Sequence, residues 1–201
     1  MLIILYALGF GLLGYLCGSL PFAVWITRLV KGDDVRDAGS GHATTTNVIR
    51  QAGFLPGAAV FLLDVSKGFV PTWLALQYAP AGWIAALTAA LAVVGHCWPL
   101  FAGFRGGMGL APANGGMMAA FPFAILITYA LVGLLTLILH HSARASLITG
   151  LLIAPLLWAI GLRGPILWIA GAVGLVVAVR FLIDWNRKYR EPWLDREKKS
   201  G

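Results

Sequence analysis

Long apolar runs separated by short polar stretches dominate this chain. Several of the runs reach about 20 residues, the length that an α-helix needs to cross a bilayer core of about 30 Å. Backbone groups in lipid have to be hydrogen-bonded within the protein, so we expect these runs to be helices rather than open strands. The pattern predicts an all-α integral membrane protein. Its predicted transmembrane helices cover residues 2–29, 54–77, 81–100, 113–121, 123–139, 146–160 and 166–183.

The apolar run from 110 to 139 contains two of these helices. It is too long for one ordinary span, and Pro112 and Pro122 interrupt it, with a glycine pair between them. We therefore divide it into a short segment and a full one, which gives about seven transmembrane helices in total. The first run also contains a proline, Pro21, where we expect a kink near the membrane surface.

Basic residues fix the predicted orientation. Arg28 and Lys31 follow the first helix, and seven helices place them on the same side as the basic tail, residues 185–201. The positive-inside rule assigns that side to the cytoplasm and the N-terminus to the outside, whereas six helices would put the tail outside. Arg163 is the one charge on the wrong side. We predict a single domain over residues 1–184, which crosses the inner (plasma) membrane several times, followed by a basic cytoplasmic tail.

The composition agrees with this interpretation and excludes other classes of protein. Hydrophobic residues make up 59% of the 201 positions and charged residues 11%, with a mean hydropathy of +0.83, which is incompatible with a soluble domain. The net charge is +7, but the chain has no basic, aromatic-rich soluble module that could hold a nucleic acid. Cys17 and Cys97 form no metal-ligand pattern. We expect neither a metal nor another cofactor.

A glycine-rich stretch, residues 96–114, is the first candidate for a ligand site. Gly103, Gly106, Gly107 and Gly109 surround a single cation, Arg105. Glycines allow the backbone to approach a ligand closely, and successive N–H groups can converge on an anion. The guanidinium adds a permanent charge that suits phosphate or carboxylate. The alternative is a flexible connector in which Arg105 marks the cytoplasmic side.

A polar stretch, residues 32–53, is the second candidate. It combines hydrogen-bond donors such as Ser40, Thr46 and Asn47 with the charges of Arg36 and Arg50. A helix that begins near Thr46 would place Asn47 and Arg50 on one face at its start, where helices favour anions. The alternative is a hydrophilic loop with an N-capping threonine run.

Asp64, Lys67 and His96 are ionisable residues within the predicted helices. Asp64 and Lys67 are three apart, which permits an ion pair on one helix. Such groups in a span are usually paired or functional, so a neutralised pair and a substrate contact both remain open. His96 is either a hydrogen-bonded scaffold residue or a participant in proton transfer.

Four short motifs, in order, resemble those of a known family. Residues 18–21 (GSLP) are similar to its GSxP, and residues 39–50 (GSGHATTTNVIR) to its GSGNxGATNVxR loop. Residues 64–68 (DVSKG) are similar to its DxxKG, and residues 95–109 (GHCWPLFAGFRGGMG) to its GHxxPxFxxFKGGKG loop. The chain thus resembles, over most of its length, the acyl-phosphate-dependent glycerol-3-phosphate acyltransferases of bacteria (the PlsY family).

The resemblance implies a seven-helix membrane protein with its active site at the cytoplasmic face. It implies transfer of a fatty acyl group from acyl phosphate to the sn-1 hydroxyl of glycerol 3-phosphate, giving lysophosphatidate and phosphate. The implied partners are these two substrates and membrane lipid, with no nucleic acid and no obligate protein partner. The implied catalytic residues are Ser40, Arg50 and Arg105. The implied substrate-binding residues are Gly41, Thr46, Asn47, His96, Gly106, Gly107 and Gly109.

The chain also departs from the family pattern. His42 replaces an asparagine of the first loop, and Met108 replaces the second lysine of the glycine-rich loop. The family's late asparagine and histidine have no clear match near residues 181–186. These departures motivate an alternative, a divergent relative that has a changed acceptor or has lost catalysis and binds a phosphorylated lipid precursor. An ion or anion transporter built on Asp64, Lys67 and the two loops is a further alternative, although no internal repeat supports it.

Overall fold

The computed structural model describes residues 1–185, and over this range the chain is helical with connecting loops. It forms nine α-helices, which confirms the all-α prediction for the described residues. The α-helices are α1 (Leu2–Gly18), α2 (Phe22–Lys31), α3 (Thr45–Ala52), α4 (Phe54–Tyr78), α5 (Gly82–Cys97), α6 (Leu110–Ala120), α7 (Ala124–Leu139), α8 (Ser142–Ala159) and α9 (Pro165–Ile183). Two short 3-10 helices, Val35–Asp37 and Leu100–Ala102, lie in the loops.

Five helical segments of the described chain are long and apolar enough to cross a membrane, so the protein is membrane-embedded. They are Leu2–Lys31, which combines α1 and α2, together with α4, Gly82–Ala102, α8 and α9. The apolar helix α7 has 16 residues. Helix α6 has 11 residues and is therefore about 16 Å long, half the thickness of a bilayer core. The count of seven crossings and the orientation of the termini stay predictions.

The predicted kink in the first apolar run is a break between two helices. Helix α1 ends at Gly18, and α2 begins directly after Pro21, because proline has no N–H with which to continue the helical ladder. The break frees the carbonyl group of Leu20, and the Lys67 ammonium group of α4 donates a hydrogen bond to it at 2.9 Å. This hydrogen bond ties the break between α1 and α2 to α4.

Helix α5 lies at the centre of the bundle and packs against α1, α4, α6 and α9. The short α6 is held tightly against α4, since a Cβ atom on Gly115 would collide with the Val65 carbonyl group and one on Gly68 with the Pro112 carbonyl group. This backbone-to-backbone packing, which small residues permit, anchors the chain where it leaves the glycine-rich stretch. The predicted basic tail falls on residues 186–201, outside the described residues, apart from Trp185, so its boundary stays a prediction.

Candidate functional site

Two loops that are far apart in the sequence lie side by side at one end of the bundle. We call residues 32–44 the first loop and residues 98–109 the second loop. The Ala43 N–H group donates to the Gly106 carbonyl oxygen at 3.2 Å. The Arg36 guanidinium group donates to the carbonyl oxygens of Ala102, at 2.7 Å, and Arg105, at 3.1 Å. The two candidate stretches therefore form one joint surface.

Asn47 holds the first loop in shape from within. Its side chain is fully buried, and its amide group donates to the carbonyl oxygens of Val35 (2.8 Å), Ala38 (3.1 Å) and His42 (3.0 Å). Its side-chain oxygen accepts from the Ser40 N–H group at 3.3 Å. All of these contacts are internal to the loop and its helix. The geometry thus gives Asn47 a supporting role, and its predicted contact with substrate stays a prediction.

The predicted N-capping by the threonine run is present at the start of α3. Thr44 is the N-cap residue, and its hydroxyl oxygen accepts from the Asn47 N–H group at 3.3 Å. Because the helix begins at Thr45, Asn47 faces the protein interior, whereas Thr46 and Arg50 are exposed. Asn47 and Arg50 therefore do not present one common surface, despite their spacing.

Asp34 and Arg36 fix the other end of the first loop. The Arg36 guanidinium group donates to both oxygens of the Asp34 carboxylate, at 2.9 and 2.7 Å, and the exposed Arg28 adds a bond of 2.8 Å. These charge-assisted bonds, led by that from Arg36, hold the pKa of Asp34 well below its usual range, and they raise the pKa of Arg36. Asp34 therefore orients the permanently charged guanidinium group of Arg36 towards the backbone of the second loop.

The second loop is shaped by its backbone against the end of α5. The Gly107 N–H group donates to the His96 carbonyl oxygen at 3.0 Å, and the Phe104 N–H group donates to that of Pro99 at 2.9 Å. A Cβ atom on Gly106 would collide with the His96 carbonyl group, and one on Gly107 with the His96 imidazole ring. Only glycine fits at these two positions, because the α5 backbone lies so close to Gly106, and the His96 ring and the Ala43 carbonyl group lie so close to Gly107.

A small pocket opens between the second loop and the α1–α2 break. Its polar lining consists of Arg105 from the second loop together with Asp64, Lys67 and His96 from the bundle. The Lys67 nitrogen lies 3.0 Å from an Asp64 carboxylate oxygen, and Nδ1 of His96 lies 3.7 Å from the same oxygen. The ion pair that the three-residue spacing permits is therefore present, and it is almost fully buried. The other lining residues are Leu20, Pro21, Phe22, Ala23, Ala43, Pro99 and Gly106.

The predicted site residues are distributed around this joint surface, and their roles in catalysis and binding stay predictions. Arg105 is exposed and lines the pocket. Ser40 and Gly41 are half-buried in the first loop, beside the contact between the loops. Arg50 is exposed on α3 and is not among the described residues that line the pocket. Gly109 is buried against α5, where its φ of +87° starts α6.

The sequence reasoning missed one cation that the fold brings to the site. Arg180, in the last turn of α9, is 8% exposed and donates from Nε to the Gly107 carbonyl oxygen at 3.2 Å. Its terminal nitrogen lies 3.2 Å from an Asp184 carboxylate oxygen, which also lies 3.0 Å from Nε2 of His42. We call these three residues the His42–Asp184–Arg180 cluster. The sequence signal that could have identified Arg180 is the presence of a basic residue inside an apolar run.

Met108 occupies the position of the family's second lysine, and its side chain is directed away from solvent. It is 7% exposed and belongs to the main apolar core, together with Val93, Cys97 and Val177. The residue is thus part of the packing between the second loop, α5 and α9.

Comparisons with known proteins agree with the motifs. The family model for glycerol-3-phosphate acyltransferase matches residues 8–190. The glycerol-3-phosphate acyltransferase of Klebsiella pneumoniae subsp. pneumoniae is 41% identical over 149 residues, covering 73% of this chain and 71% of that protein. That of Bordetella petrii is 36% identical over 178 residues, covering 87% and 82%.

Solved structures give the same answer at the level of the fold. The chain is similar to PlsY (YgiH), an integral membrane glycerol 3-phosphate acyltransferase, in its glycerol 3-phosphate form. The TM-score is 0.77 and the identity 33%, with 90% of each chain covered. The lysophosphatidic acid form of PlsY gives a TM-score of 0.74 and 31% identity, again with 90% of each chain covered. This chain therefore belongs to the glycerol-3-phosphate acyltransferase family.

Proposed function

We propose that this protein transfers a fatty acyl group from acyl phosphate to the sn-1 hydroxyl of glycerol 3-phosphate, forming lysophosphatidate and inorganic phosphate. Its membership of the family makes it a membrane acyltransferase for glycerol 3-phosphate. The proposal of acyl phosphate as donor rests on the four motifs that resemble those of the acyl-phosphate-dependent acyltransferases. One observation carries the proposal: the two loops are bonded to each other beside a pocket lined by Arg105, Gly106 and Ala43.

The chemistry of the donor explains why such a site suffices. Acyl phosphate is a mixed anhydride, so the sn-1 oxygen can attack the carbonyl carbon while the bond to the phosphate oxygen breaks. The leaving phosphate keeps the electron pair of that bond and takes the hydroxyl proton. No covalent intermediate with the protein is needed, and the protein contributes by holding two anions in the reactive geometry.

The two loops and α3 supply the groups that this task requires. Arg50 and Arg105 neutralise the phosphate groups of the two substrates, and Ser40 orients the bound anions. Thr46 and the Gly106 N–H group add hydrogen bonds that stabilise the oxyanion in the transition state. The glycine backbone at Gly106 suits this role because a side chain there is sterically excluded.

The surroundings of the pocket fit a substrate that arrives from the lipid. Leu20, Pro21 and Phe22 form an apolar wall at the α1–α2 break, along which the acyl chain can lie. Arg28 and Lys31 follow in the last turn of α2, and the positive-inside rule assigns that end of the bundle to the cytoplasm. We therefore propose seven crossings of the inner membrane, with the site facing the cytoplasm.

The test is a phosphate-release assay with the purified protein in lipid nanodiscs. We expect phosphate to be released from acyl phosphate only when glycerol 3-phosphate is present, with lysophosphatidate formed in equal amount. Transfer from acyl-CoA or acyl-carrier protein, without transfer from acyl phosphate, would contradict the proposed donor. Loss of all acyl transfer by the correctly folded protein would contradict the reaction itself.

Replacing Arg105 tests the residue on which the site most depends. We expect Arg105→Ala to lower kcat/KM by about a hundredfold or more, which corresponds to roughly 3 kcal/mol of transition-state stabilisation. Arg163→Ala is the matched control, because Arg163 is exposed in the loop before α9, where it bonds the nearby carbonyl groups of Trp158 and Leu162 and lies over the Trp158 ring. Equal activity of the two variants would show that Arg105 does not act on the substrates.

The same assay distinguishes the second candidate, a relative with a changed acceptor. The burial of Met108 in the apolar core and the contact of His42 with Asp184 favour it, because both positions differ from the family pattern. A panel of phosphorylated acceptors should then show a substrate that is used better than glycerol 3-phosphate. Preference for glycerol 3-phosphate over the whole panel would eliminate this candidate.

A further inference from the structure

We propose that Asp184 is a positioning residue, which keeps the two loops of the site in register by bonding His42 and Arg180 at the same time. Its consequence for catalysis rests on the proposed function, whereas its consequence for the geometry of the loops does not. The residue lies just after α9, the last helix of the described chain. It bonds the first loop directly at His42 and reaches the second loop through Arg180.

The contacts form a continuous path from one loop to the other. Nδ1 of His42 lies 3.0 Å from the Ser40 carbonyl oxygen, and Nε2 lies 3.0 Å from Oδ2 of Asp184. The same carboxylate oxygen accepts from Arg180 at 3.2 Å. Arg180 in turn donates to the Gly107 carbonyl oxygen at 3.2 Å. The path therefore begins at Ser40, a predicted catalytic residue, and ends in the glycine backbone of the second loop.

The cluster is well shielded from water. The side-chain exposure is 7% for His42, 12% for Asp184 and 10% for Arg180. Charged hydrogen bonds at such sites are strong and geometrically specific. Removing one partner leaves a buried charge without compensation, so the cluster resists rearrangement and can determine the positions of the groups that it bonds.

The His42–Asp184–Arg180 cluster adds a second connection between the loops to their direct contact. At this point the loops share one backbone hydrogen bond, from Ala43 to Gly106. The path through Asp184 reaches Ser40 on one side of that bond and Gly107 on the other. Arg36 connects the loops at their outer edge, through the carbonyl groups of Ala102 and Arg105. Asp184 therefore connects the two loops on the side where they meet the helix bundle.

The test uses the variants Asp184→Asn and His42→Asn and their combination, with Asp33→Asn as the matched control. Asp33 is an exposed acid of the first loop, outside the proposed machinery. Hydrogen–deuterium exchange is followed in lipid nanodiscs for peptides that contain the Ala43 and Gly107 amides. Peptides from α4 and α5 report whether each variant remains folded.

We expect Asp184→Asn and His42→Asn each to accelerate exchange in both loop peptides by about fivefold or more, while α4 and α5 are unaffected. The double variant should exchange about as fast as the single ones, because residues that act through one contact are not additive. In the acyl-transfer assay the KM for glycerol 3-phosphate should rise by a similar factor. Asp33→Asn should change none of these quantities.

The two proposals fail in different ways. A wild-type protein without acyl transfer would contradict the proposed function, and the exchange measurement would still decide the role of Asp184. Unchanged exchange in the loops of Asp184→Asn would overturn that role. So would fully additive effects of Asp184→Asn and His42→Asn, or an equal effect of Asp33→Asn.

Discussion

The two loops of the site are made rigid in opposite ways. The first loop is held by side chains, since Asn47 bonds its carbonyl groups from inside and Asp34 fixes Arg36 at its edge. The second loop is held by close packing of its backbone, since Gly106 and Gly107 have no side chain that would keep it away from the end of α5. The first loop should therefore be damaged by removing atoms and the second by adding them.

The largest effect is expected from one added methyl group in the second loop. Gly106→Ala places a Cβ atom against the carbonyl groups of His96 and Cys97, and backbone atoms cannot move aside as a flexible side chain can. We expect acyl transfer to fall by about a hundredfold or more, equivalent to roughly 3 kcal/mol. Initial rates of phosphate release measure the loss.

The control for this prediction is Gly133→Ala. Gly133 lies in α7, is exposed, and has no atom within 4 Å of an added Cβ. The Gly133→Ala variant should keep the activity of the wild type. Normal activity of Gly106→Ala would show that the second loop is free to move away from α5, and the contrast between the loops would be lost.

A smaller effect is expected from removing a side chain in the first loop. Asn47→Ala leaves the buried carbonyl group of His42 and the N–H group of Ser40 without the amide that bonds them. Each buried polar group that loses its partner costs about 1–3 kcal/mol, so we expect the free energy of unfolding to fall by about 2–4 kcal/mol. Thermal unfolding in detergent measures the change.

Gln51→Ala supplies a matched comparison on the same helix, α3. Gln51 donates to the carbonyl groups of Val35 and Ala38, both of which Asn47 also bonds, but it is half-buried rather than enclosed. We expect a loss of about 1 kcal/mol or less. If both variants lose the same stability, the first loop does not depend on its buried amide.

A smaller effect than that of Asn47→Ala concerns Asp34, and it depends on pH. The pKa of its carboxyl group is lowered in the folded protein, so its contribution is present at pH values above the unfolded pKa of about 4 and is lost as the pH falls through the folded value. We expect Asp34→Asn to lose about 1–2 kcal/mol at pH 7, in keeping with a partly exposed charged hydrogen bond. The difference from wild type should shrink in strong acid. Unfolding temperatures measured from pH 7 down into strong acid follow this change, and a difference from wild type that stays constant over this range would contradict it.

The helices could be predicted from the sequence because their signals are local. The apolar run from 110 to 139 was divided at its prolines and glycines, and the two resulting helices agree with α6 and α7 to within three residues at each end. The third predicted helix ends earlier than expected, at Cys97 rather than 100, because Pro99 cannot continue it. The first was expected to bend at Pro21 and is instead divided there into α1 and α2.

The site could be predicted only in part, because its contacts join distant parts of the chain. Glycine and arginine content identified both loops. The sequence patterns around Arg50 and Arg105 predicted the same role for both residues, but of the two only Arg105 is among the described residues that line the pocket. The contact of Arg180 with Gly107 spans 73 positions and leaves no periodic pattern. The local sequence predicts Asn47 as a substrate ligand, which stays a prediction, and it gives no sign that the buried side chain also bonds the loop.

The central claim is that the two loops form one site for glycerol 3-phosphate. Titrating glycerol 3-phosphate while following hydrogen exchange in the peptides of both loops tests it directly. We predict that residues 38–44 and residues 103–109 become protected together, with the same half-saturating concentration. Protection of one loop only, or two clearly different half-saturating concentrations, would contradict the claim.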